Sequence, residues 1–214
     1  EQHRLLGFDA SADCVIPNGV PLPSTYTLPK VPLKVFGYAA RLHPQKDLYS
    51  FLQAAASTSA ALPDVRFVTA GKNLLHSNLE VAKMVAKSGL DPARITFLGE
   101  QSDMASFYNS IDALVLSSRT EGFPNVVAEA MSYSRPIIAT DVGDARAIIG
   151  DAGLVVEPKR PDLLAEAMIE LGTMKHSQVA ELSERARKRI ERHFGIAAIA
   201  EAYKKRILNW PAEE

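Results

Sequence analysis

The sequence is poor in the features that mark several classes of protein. Its 214 residues include one cysteine, Cys14, and one tryptophan. A single cysteine cannot form an internal disulfide, so a disulfide-stabilised secreted scaffold is excluded and a reducing, cytoplasmic setting is expected. No apolar run approaches the roughly 18 residues of a membrane-spanning helix. The first residues also lack the basic start and apolar stretch of a signal peptide.

An excess of charge of one sign is also missing. The chain has 24 Lys and Arg against 25 Asp and Glu, for a formal net charge of −1. This balance argues against a nucleic-acid partner and against a polybasic membrane anchor. The five histidines are scattered, and none pairs with an acid at the spacing of metal ligands. No metal site is therefore predicted.

Six short apolar runs alternate with segments of helical periodicity through the middle of the sequence. Because these runs are mostly continuous in apolar residues, the predicted strands are buried on both faces, as strands of parallel sheets are. Right-handed crossovers between them give an α/β fold with a doubly wound parallel sheet of about six strands. The predicted strands cover residues 33–40, 65–71, 94–100, 112–118, 136–142 and 153–158.

Glycine and proline mark the ends of several predicted helices. Gly89 and Gly172 are predicted to end helices and Pro161 to begin one, because glycine favours the position after a helix and proline the first turn. The fourth helix is predicted over Val126–Met131, directly behind a turn at Gly122–Asn125. The helices thus follow the strands in regular βα order.

The two ends of the chain have a different character. Residues 15–32 carry five prolines and no helical period, so they are predicted to be a linker or hinge. The tail from Ser177 to Trp210 is predicted to be helical, with a break near Gly195. Its second helix has an apolar stripe, which requires a surface to cover it. The stripe consists of Ile196, Ile199, Ala200, Tyr203 and Ile207.

Ligands of open α/β sheets bind at the carboxyl ends of the strands, so the loops after the strands are the candidate sites. After the first strand come Arg41 and Lys46. Two cations at this edge suit a diphosphate, because Arg grips phosphate oxygens through two N–H groups and Lys adds a point charge. The alternative interpretation is solvated surface charge.

Two glutamates flank the turn before the fourth helix. Unpaired N–H groups at a helix start favour an anion there. Glu121 would repel a phosphate, so it makes sense only if it reaches another part of the ligand, such as hydroxyl groups. Glu129, about one turn inside the helix, could accept two hydrogen bonds from a ribose diol. The alternatives are a favourable charge on the helix dipole and a solvated helix face.

Four stretches together resemble one family. They read VIPNGV, GYAARLHPQKD, ITFLGE and EGFPNVVAEAM, the last followed by RPIIATDVGD. In order and spacing they are similar to the C-terminal half of retaining glycosyltransferases of the GT-B fold, family 4. The pair of acids at Glu121 and Glu129, with GFPNVVA between them, is the specific part. The resemblance covers roughly residues 14–208.

The resemblance implies that the chain holds a nucleotide-sugar donor. Arg41 and Lys46 match the cation pair on the donor diphosphate. Glu121 matches the catalytic-site acid beside the donor sugar and its reacting carbon, and Glu129 matches the acid on the ribose hydroxyls. Further contacts to the sugar, phosphates and base are implied at Gly122, Phe123, Asn125, Val126, Gly99 and Glu100. No cofactor is implied besides the donor substrate, and the family is usually metal-independent.

The resemblance also implies a division of the chain. Residues 1–20 are expected to be the end of an N-terminal lobe, 21–32 a linker, 33–195 the nucleotide-sugar-binding domain, and 196–214 a helix that crosses back to that lobe. The chain holds no complete N-terminal lobe and does not begin with Met, so we expect Glu1 to be an internal residue of a longer protein. The other lobe would bind an acceptor sugar or glycolipid. We expect polysaccharide or glycoconjugate biosynthesis in the cytoplasm, including the inner face of the membrane.

Some positions depart from the family pattern. Ala40 stands where Gly usually precedes the Arg. Asp47 replaces a frequent Gly after the Lys, and Ser134 stands at a helix end where Gly is usual. None of these changes removes a charged contact.

Other functions fit parts of the same pattern. A module that binds a nucleotide sugar without catalysis would keep the same four charged residues, and the coding sequence upstream would distinguish it from an enzyme. A GT-B-like sugar-nucleotide epimerase would need acid and base residues from both lobes, and the two spaced glutamates argue against it. A flavodoxin-like signalling domain would carry acids after the first strand, where this chain has Arg41 and Lys46.

Overall fold

The computed structural model describes residues 15–208. Six parallel strands form one sheet in the order β3-β2-β1-β4-β5-β6. This arrangement confirms the predicted α/β fold with a doubly wound, Rossmann-like sheet. The predictions for residues 1–14 and for Trp210 lie outside the described residues.

The elements follow the chain in βα order. The strands are β1 (Val35–Ala39), β2 (Arg66–Ala70), β3 (Ile95–Phe97), β4 (Ala113–Leu116), β5 (Ile137–Thr140) and β6 (Gly153–Val156). The α-helices are α1 (Leu48–Ala61), α2 (Leu79–Ser88), α3 (Met104–Ser110), α4 (Asn125–Ser132), α5 (Ala145–Ile149), α6 (Pro161–Thr173), α7 (His176–His193) and α8 (Ile196–Leu208). Short 3-10 helices at Pro44–Lys46 and Pro92–Arg94 complete the described elements.

Two apolar clusters cover the two faces of the sheet. One combines β-strand side chains such as Phe36 and Phe67 with helices α1, α2 and α6. The other combines Leu114 and Ile137 with α3, α4 and α5. Helix α7 contributes to both clusters and so closes one side of the layers. Every residue of β4 and β5 is buried, which explains why all of them but Thr140 are apolar.

The structure confirms two of the predicted helix boundaries and corrects two. Gly89 follows α2 with φ +78°, and Pro161 is the first residue of α6. The fourth helix begins at Asn125 rather than Val126. The prediction that Gly172 ends a helix was wrong, because α6 continues to Thr173. A Cβ at Gly172 would lie 2.7 Å from Leu62 Cδ1, so glycine allows α1 and α6 to pack closely.

The proline-rich segment has no helix or strand over residues 21–32, yet it is bound to the sheet domain. Asp112 accepts hydrogen bonds from the backbone N–H groups of Lys30 at 3.1 Å and Lys34 at 2.9 Å. The buried Arg135 guanidinium donates to the carbonyl of Thr27. These contacts hold the segment along the amino ends of the strands. The domain boundaries themselves stay a prediction.

The predicted break in the helical tail is present. Helices α7 and α8 are separated at Gly195, where Val20 forms a parallel bridge. Of the predicted apolar stripe on α8, Ile199 is buried, whereas Tyr203 and Ile207 are exposed by 52% and 69%. That α8 crosses to another lobe stays a prediction.

The strand order places two loops side by side at the carboxyl edge of the sheet. Strands β1 and β4 are neighbours, and the chain winds in opposite directions on either side of them. The loop after β1 carries Arg41 and Lys46, and the loop after β4 carries Glu121. This is the switch point at which open α/β sheets bind ligands.

The loop after β2 is packed tightly against the loop after β1. Gly71 has φ +144°, and a Cβ there would lie 1.8 Å from the carbonyl oxygen of Ala40. Only glycine fits without moving the backbone that leads to Arg41.

We expect Gly71→Ala to destabilise the protein more than Gly89→Ala. Gly89 also has a positive φ, +78°, but no atom lies within 4 Å of its added Cβ. Alanine at Gly89 should therefore cost only the backbone strain, about 1–2 kcal/mol. Alanine at Gly71 should add a steric cost of about 1–3 kcal/mol. Urea unfolding of the two variants measures the difference, and equal stabilities would contradict the tight packing of these loops.

Candidate functional site

An ion pair joins the two loops at the switch point. Lys46 Nζ lies 2.6 Å from Glu121 Oε1 and 2.8 Å from Oε2. The Ser118 hydroxyl also donates to Glu121 Oε1, at 2.6 Å. The side chains of Lys46 and Glu121 are 23% and 10% exposed, so both are largely shielded from water at the carboxyl ends of the strands. Two predicted site residues from separate loops are thus in direct contact.

Buried hydroxyl groups donate hydrogen bonds to the backbone carbonyls of Lys46 and Asp47. Tyr38 OH donates to the carbonyl of Lys46 at 3.0 Å. Ser117 Oγ donates to the carbonyls of Lys46 at 3.1 Å and Asp47 at 2.9 Å. Burial, followed by the charges of Asp47 and Glu121, raises the pKa of Tyr38 far above its ordinary value. The phenol therefore stays protonated and keeps its role as a donor.

A second ion pair joins the same two loops. Arg119 Nε lies 2.8 Å from Asp47 Oδ2, and Nη2 lies 3.0 Å from Oδ1. Asp47 has left-handed φ 47° and ψ 52° and caps α1 by accepting from Ser50 N at 3.4 Å. Burial opposes ionisation of Asp47, but hydrogen bonds from Arg119 and Ser50 outweigh it and lower the pKa of this carboxyl. The left-handed backbone explains why glycine suits this position, as it does at Ser134 with φ 59°.

The start of α4 has free backbone donors. Pro124 occupies the cap position and gives no side-chain cap. Within residues 15–208, the N–H groups of Phe123, Asn125 and Val126 have no backbone or side-chain acceptor. The Asn125 side-chain oxygen accepts instead from Asn18 Nδ2 at 3.2 Å. An anion could be bound by these N–H groups, which carry the positive end of the helix dipole.

The turn that precedes α4 is fixed by packing. Phe123 lies 5.9 Å from the ring of Phe194, and Val126 packs against the cluster on the same face of the sheet. The carbonyl of exposed Gly122 accepts from Asp144 N at 2.9 Å. A Cβ on Gly143 would lie 2.1 Å from that carbonyl oxygen, so the loop after β5 supports the turn directly.

Glu129 points to a tyrosine that the sequence reasoning missed. Tyr108 OH donates to Glu129 Oε2 at 2.6 Å, and the Tyr108 ring stacks on Tyr133 with a centroid distance of 5.2 Å. Burial and the charge of Glu129 raise the pKa of Tyr108 far above its ordinary value. The hydrogen bond occupies one carboxylate oxygen of Glu129.

The remaining predicted residues lie around the same edge without touching the ion pairs. Arg41 is exposed in the loop after β1 and forms no ion pair among the described residues. Gly99 has φ 72°, and its carbonyl accepts from Gly71 N at 2.7 Å. Glu100 is exposed directly after it. The structure thus puts these residues near the strand ends, and their roles stay predictions.

Residues 15–208 contain neither a metal-binding cluster nor a membrane-spanning helix. No group of three or more His, Cys, Asp or Glu side chains is placed to hold a metal ion. No helix in this part of the chain is both long and apolar enough to cross a membrane.

The raised tyrosine pKa values predict an alkaline loss of stability. In the unfolded chain tyrosine titrates near 10.0, whereas Tyr38 and Tyr108 titrate above that value in the folded protein. Their stabilising contribution is therefore complete below pH 10 and is lost as the pH rises above it, by about 1.4 kcal/mol per pH unit for each residue. We expect Tyr108→Phe to reduce that slope in urea unfolding. Tyrosinate absorbance of the folded chain should show the phenols of Tyr38 and Tyr108 still protonated above pH 10. Titration of all six tyrosines near pH 10 would contradict this.

The comparisons with known proteins agree with the fold. The family described as "Glycosyl transferases group 1" matches residues 33–173. A lipopolysaccharide core biosynthesis mannosyltransferase, LpsB of Rhizobium meliloti, is 34% identical over 113 residues, which are 51% of this chain and 32% of that protein. The chain spans about a third of the length of the curated relatives it matches.

Two solved structures show the same architecture. The C-terminal domain of LpcC, a glycosyl transferase group 1 family protein of Francisella tularensis, is 27% identical with a TM-score of 0.66 and covers 76% of this chain and 87% of that chain. HepE of Anabaena, solved in complex with UDP and glucose, has a TM-score of 0.70 at 22% identity and covers 82% and 48%. The sheet is thus the Rossmann-like sheet of a GT-B glycosyltransferase lobe, and the chain belongs to the group 1 glycosyltransferase family.

Proposed function

We propose that this chain is the donor-binding half of a retaining glycosyltransferase of family 4. The full-length enzyme would transfer a sugar from a nucleotide-sugar donor to an acceptor hydroxyl. The observation that carries the proposal is the contact of Lys46 with Glu121, because it brings a cation from one loop beside the acid that leads into α4. A cation, free helix N–H groups and a shielded acid at one switch point suit a diphosphate that carries a sugar.

The leaving diphosphate gains charge as the bond to the sugar breaks. The backbone of Lys46 and the N–H groups of Phe123, Asn125 and Val126 are held before the reaction by the surrounding contacts. Preorganised positive charge of this kind stabilises the transition state more than the ground state. Arg41 is exposed in the neighbouring loop and would add a second cation. The proposal therefore assigns neutralisation of the leaving group to protein groups.

The two acids take different parts of the donor. Glu129 Oε2 is held by Tyr108, which leaves Oε1 to accept from the ribose hydroxyls. Glu121 lies against Lys46, with Nζ 2.6 Å from Oε1. A bound diphosphate would attract Lys46, and Glu121 would then accept from the hydroxyls of the donor sugar. The backbone at Gly99 and Glu100 is the proposed contact of the base.

The acceptor is assigned to another lobe. The chain spans about a third of its curated relatives, and LpsB carries a name from lipopolysaccharide core biosynthesis. We propose an acceptor sugar or glycolipid bound by an N-terminal lobe, and polysaccharide or glycoconjugate biosynthesis in the cytoplasm as the setting. Closure of the two lobes would exclude water and orient the reactants.

Replacing the cations should weaken nucleotide binding with little effect on folding. UDP is the probe, because the similar HepE was solved with UDP and glucose. We expect Lys46→Ala and Arg41→Ala each to lose about 1–3 kcal/mol of UDP binding, the scale of a charged hydrogen bond. Lys34→Ala is the matched control, since Lys34 pairs with Asp64 at 3.0 Å and precedes β1 at the opposite edge. Calorimetry decides, and unchanged affinity in both variants would move the phosphate site elsewhere.

The two glutamates should fail in different ways. Glu129→Gln loses a charged acceptor for the ribose, so UDP should bind more weakly. Glu121→Gln releases Lys46 and removes a like charge near the phosphates, so UDP should bind equally or more tightly. In the full-length enzyme Glu121→Gln should lower kcat. If both variants instead lose only stability, about 0.3–1 kcal/mol as helix-dipole charges would, the donor assignment of the two acids fails.

A further inference from the structure

Arg119 makes contacts that the proposed donor site does not use. Its guanidinium binds both carboxylate oxygens of Asp47, at 2.8 and 3.0 Å. Its backbone N–H donates to the carbonyl of Gln45 at 2.7 Å. Arg119, in the loop that carries Glu121, is therefore hydrogen-bonded to both neighbours of Lys46 in the chain, Gln45 and Asp47.

We propose that Arg119 is a positioning residue that, through Asp47, holds the Lys46 ammonium at the diphosphate site. This inference rests on the proposed function. Among residues 15–208, Arg119 forms no hydrogen bond or ion pair with Glu121 or Glu129; its partners there are Asp47 and Gln45. Its effect on the ligand passes entirely through the backbone that carries Lys46.

The geometry of Asp47 makes the position of Lys46 depend on the ion pair between Arg119 and Asp47. Asp47 follows Lys46 directly, adopts left-handed φ 47°, and begins α1 by accepting from Ser50 N and Oγ. Its side chain is 2% exposed, so its charge needs a partner. Without Arg119 the carboxylate would keep only the Ser50 contacts. The carboxylate would then be better solvated if it turned towards water, and that turn would move the backbone of Lys46.

The two ion pairs have different roles when a donor binds. The Lys46–Glu121 pair must be exchanged for a contact with phosphate, whereas the Arg119–Asp47 pair can persist. The persistent pair keeps the Lys46 loop ordered during the exchange, and a loop that is already ordered reduces the entropy lost on binding. Lysine could not replace Arg119 fully, because the two-point contact uses the planar fork of the guanidinium.

The test is a double-mutant cycle on UDP affinity in the 214-residue chain. The variants are Arg119→Ala, Lys46→Ala and the combination of both, with the fold of each checked by circular dichroism. We expect Arg119→Ala to weaken UDP binding roughly tenfold, although Arg119 does not contact the nucleotide. In the Lys46→Ala background the same change should have no further effect, since there is no ammonium left to position.

A matched control separates this role from general stabilisation. Arg185 lies on helix α7 and pairs with Asp151 at 3.3 Å. Arg185→Ala should leave UDP affinity unchanged. If Arg119→Ala does not fold, Arg119→Lys takes its place in the test. It keeps the positive charge beside Asp47 and should weaken UDP binding about threefold.

The outcomes distinguish the inference from the proposed function. If Lys46→Ala weakens binding while Arg119→Ala and Arg119→Lys both match the wild-type chain, the positioning role is overturned and the donor site stands. Equal losses from Arg119→Ala in the presence and absence of Lys46 would also overturn it. If the wild-type chain does not bind UDP, or Lys46→Ala binds as tightly, the proposed function fails and the inference fails with it.

Discussion

The pairing of β1 with β4 is the constraint on which the site depends. These strands are central and parallel, with Phe36 opposite Ala113 and Gly37 opposite Leu114. Their loops therefore emerge side by side, although about 75 residues separate Lys46 from Glu121 in sequence. Helices pack on both faces of this sheet, so the carboxyl ends of the strands form the open surface where the loops can contact a ligand.

Three shielded carboxylates near the carboxyl ends of the strands each have a different donor. Glu121 is paired with Lys46, Asp47 with Arg119, and Glu129 with Tyr108. Shielded carboxylates without such partners would lose much of the stability of their charged form. The same contacts fix the loops, so electrostatic compensation and preorganisation have a common origin. What differs is which pair a ligand would replace.

The sequence predicted the strands and the candidate loops because these depend on local patterns. Buried β-strands are continuous apolar runs, and the helix after β4 follows a glycine and proline turn. The contacts of Arg119 and Tyr108 were not predicted, because each joins segments distant in the chain and neither residue type is unusual in its position. Gly172 was misjudged for a related reason. Its glycine serves close packing against Leu62, whereas local rules assign glycine to a helix end.

The most direct test of the account is to locate a nucleoside diphosphate on the chain. Amide chemical shifts of the isotope-labelled protein, followed by NMR during a UDP titration, report this residue by residue. The account predicts the largest changes at Lys46 and its loop, at Gly122–Val126 and at Glu129. Changes confined to the opposite edge of the sheet, around Asp112 and Arg135, or no changes at saturating UDP, would contradict it.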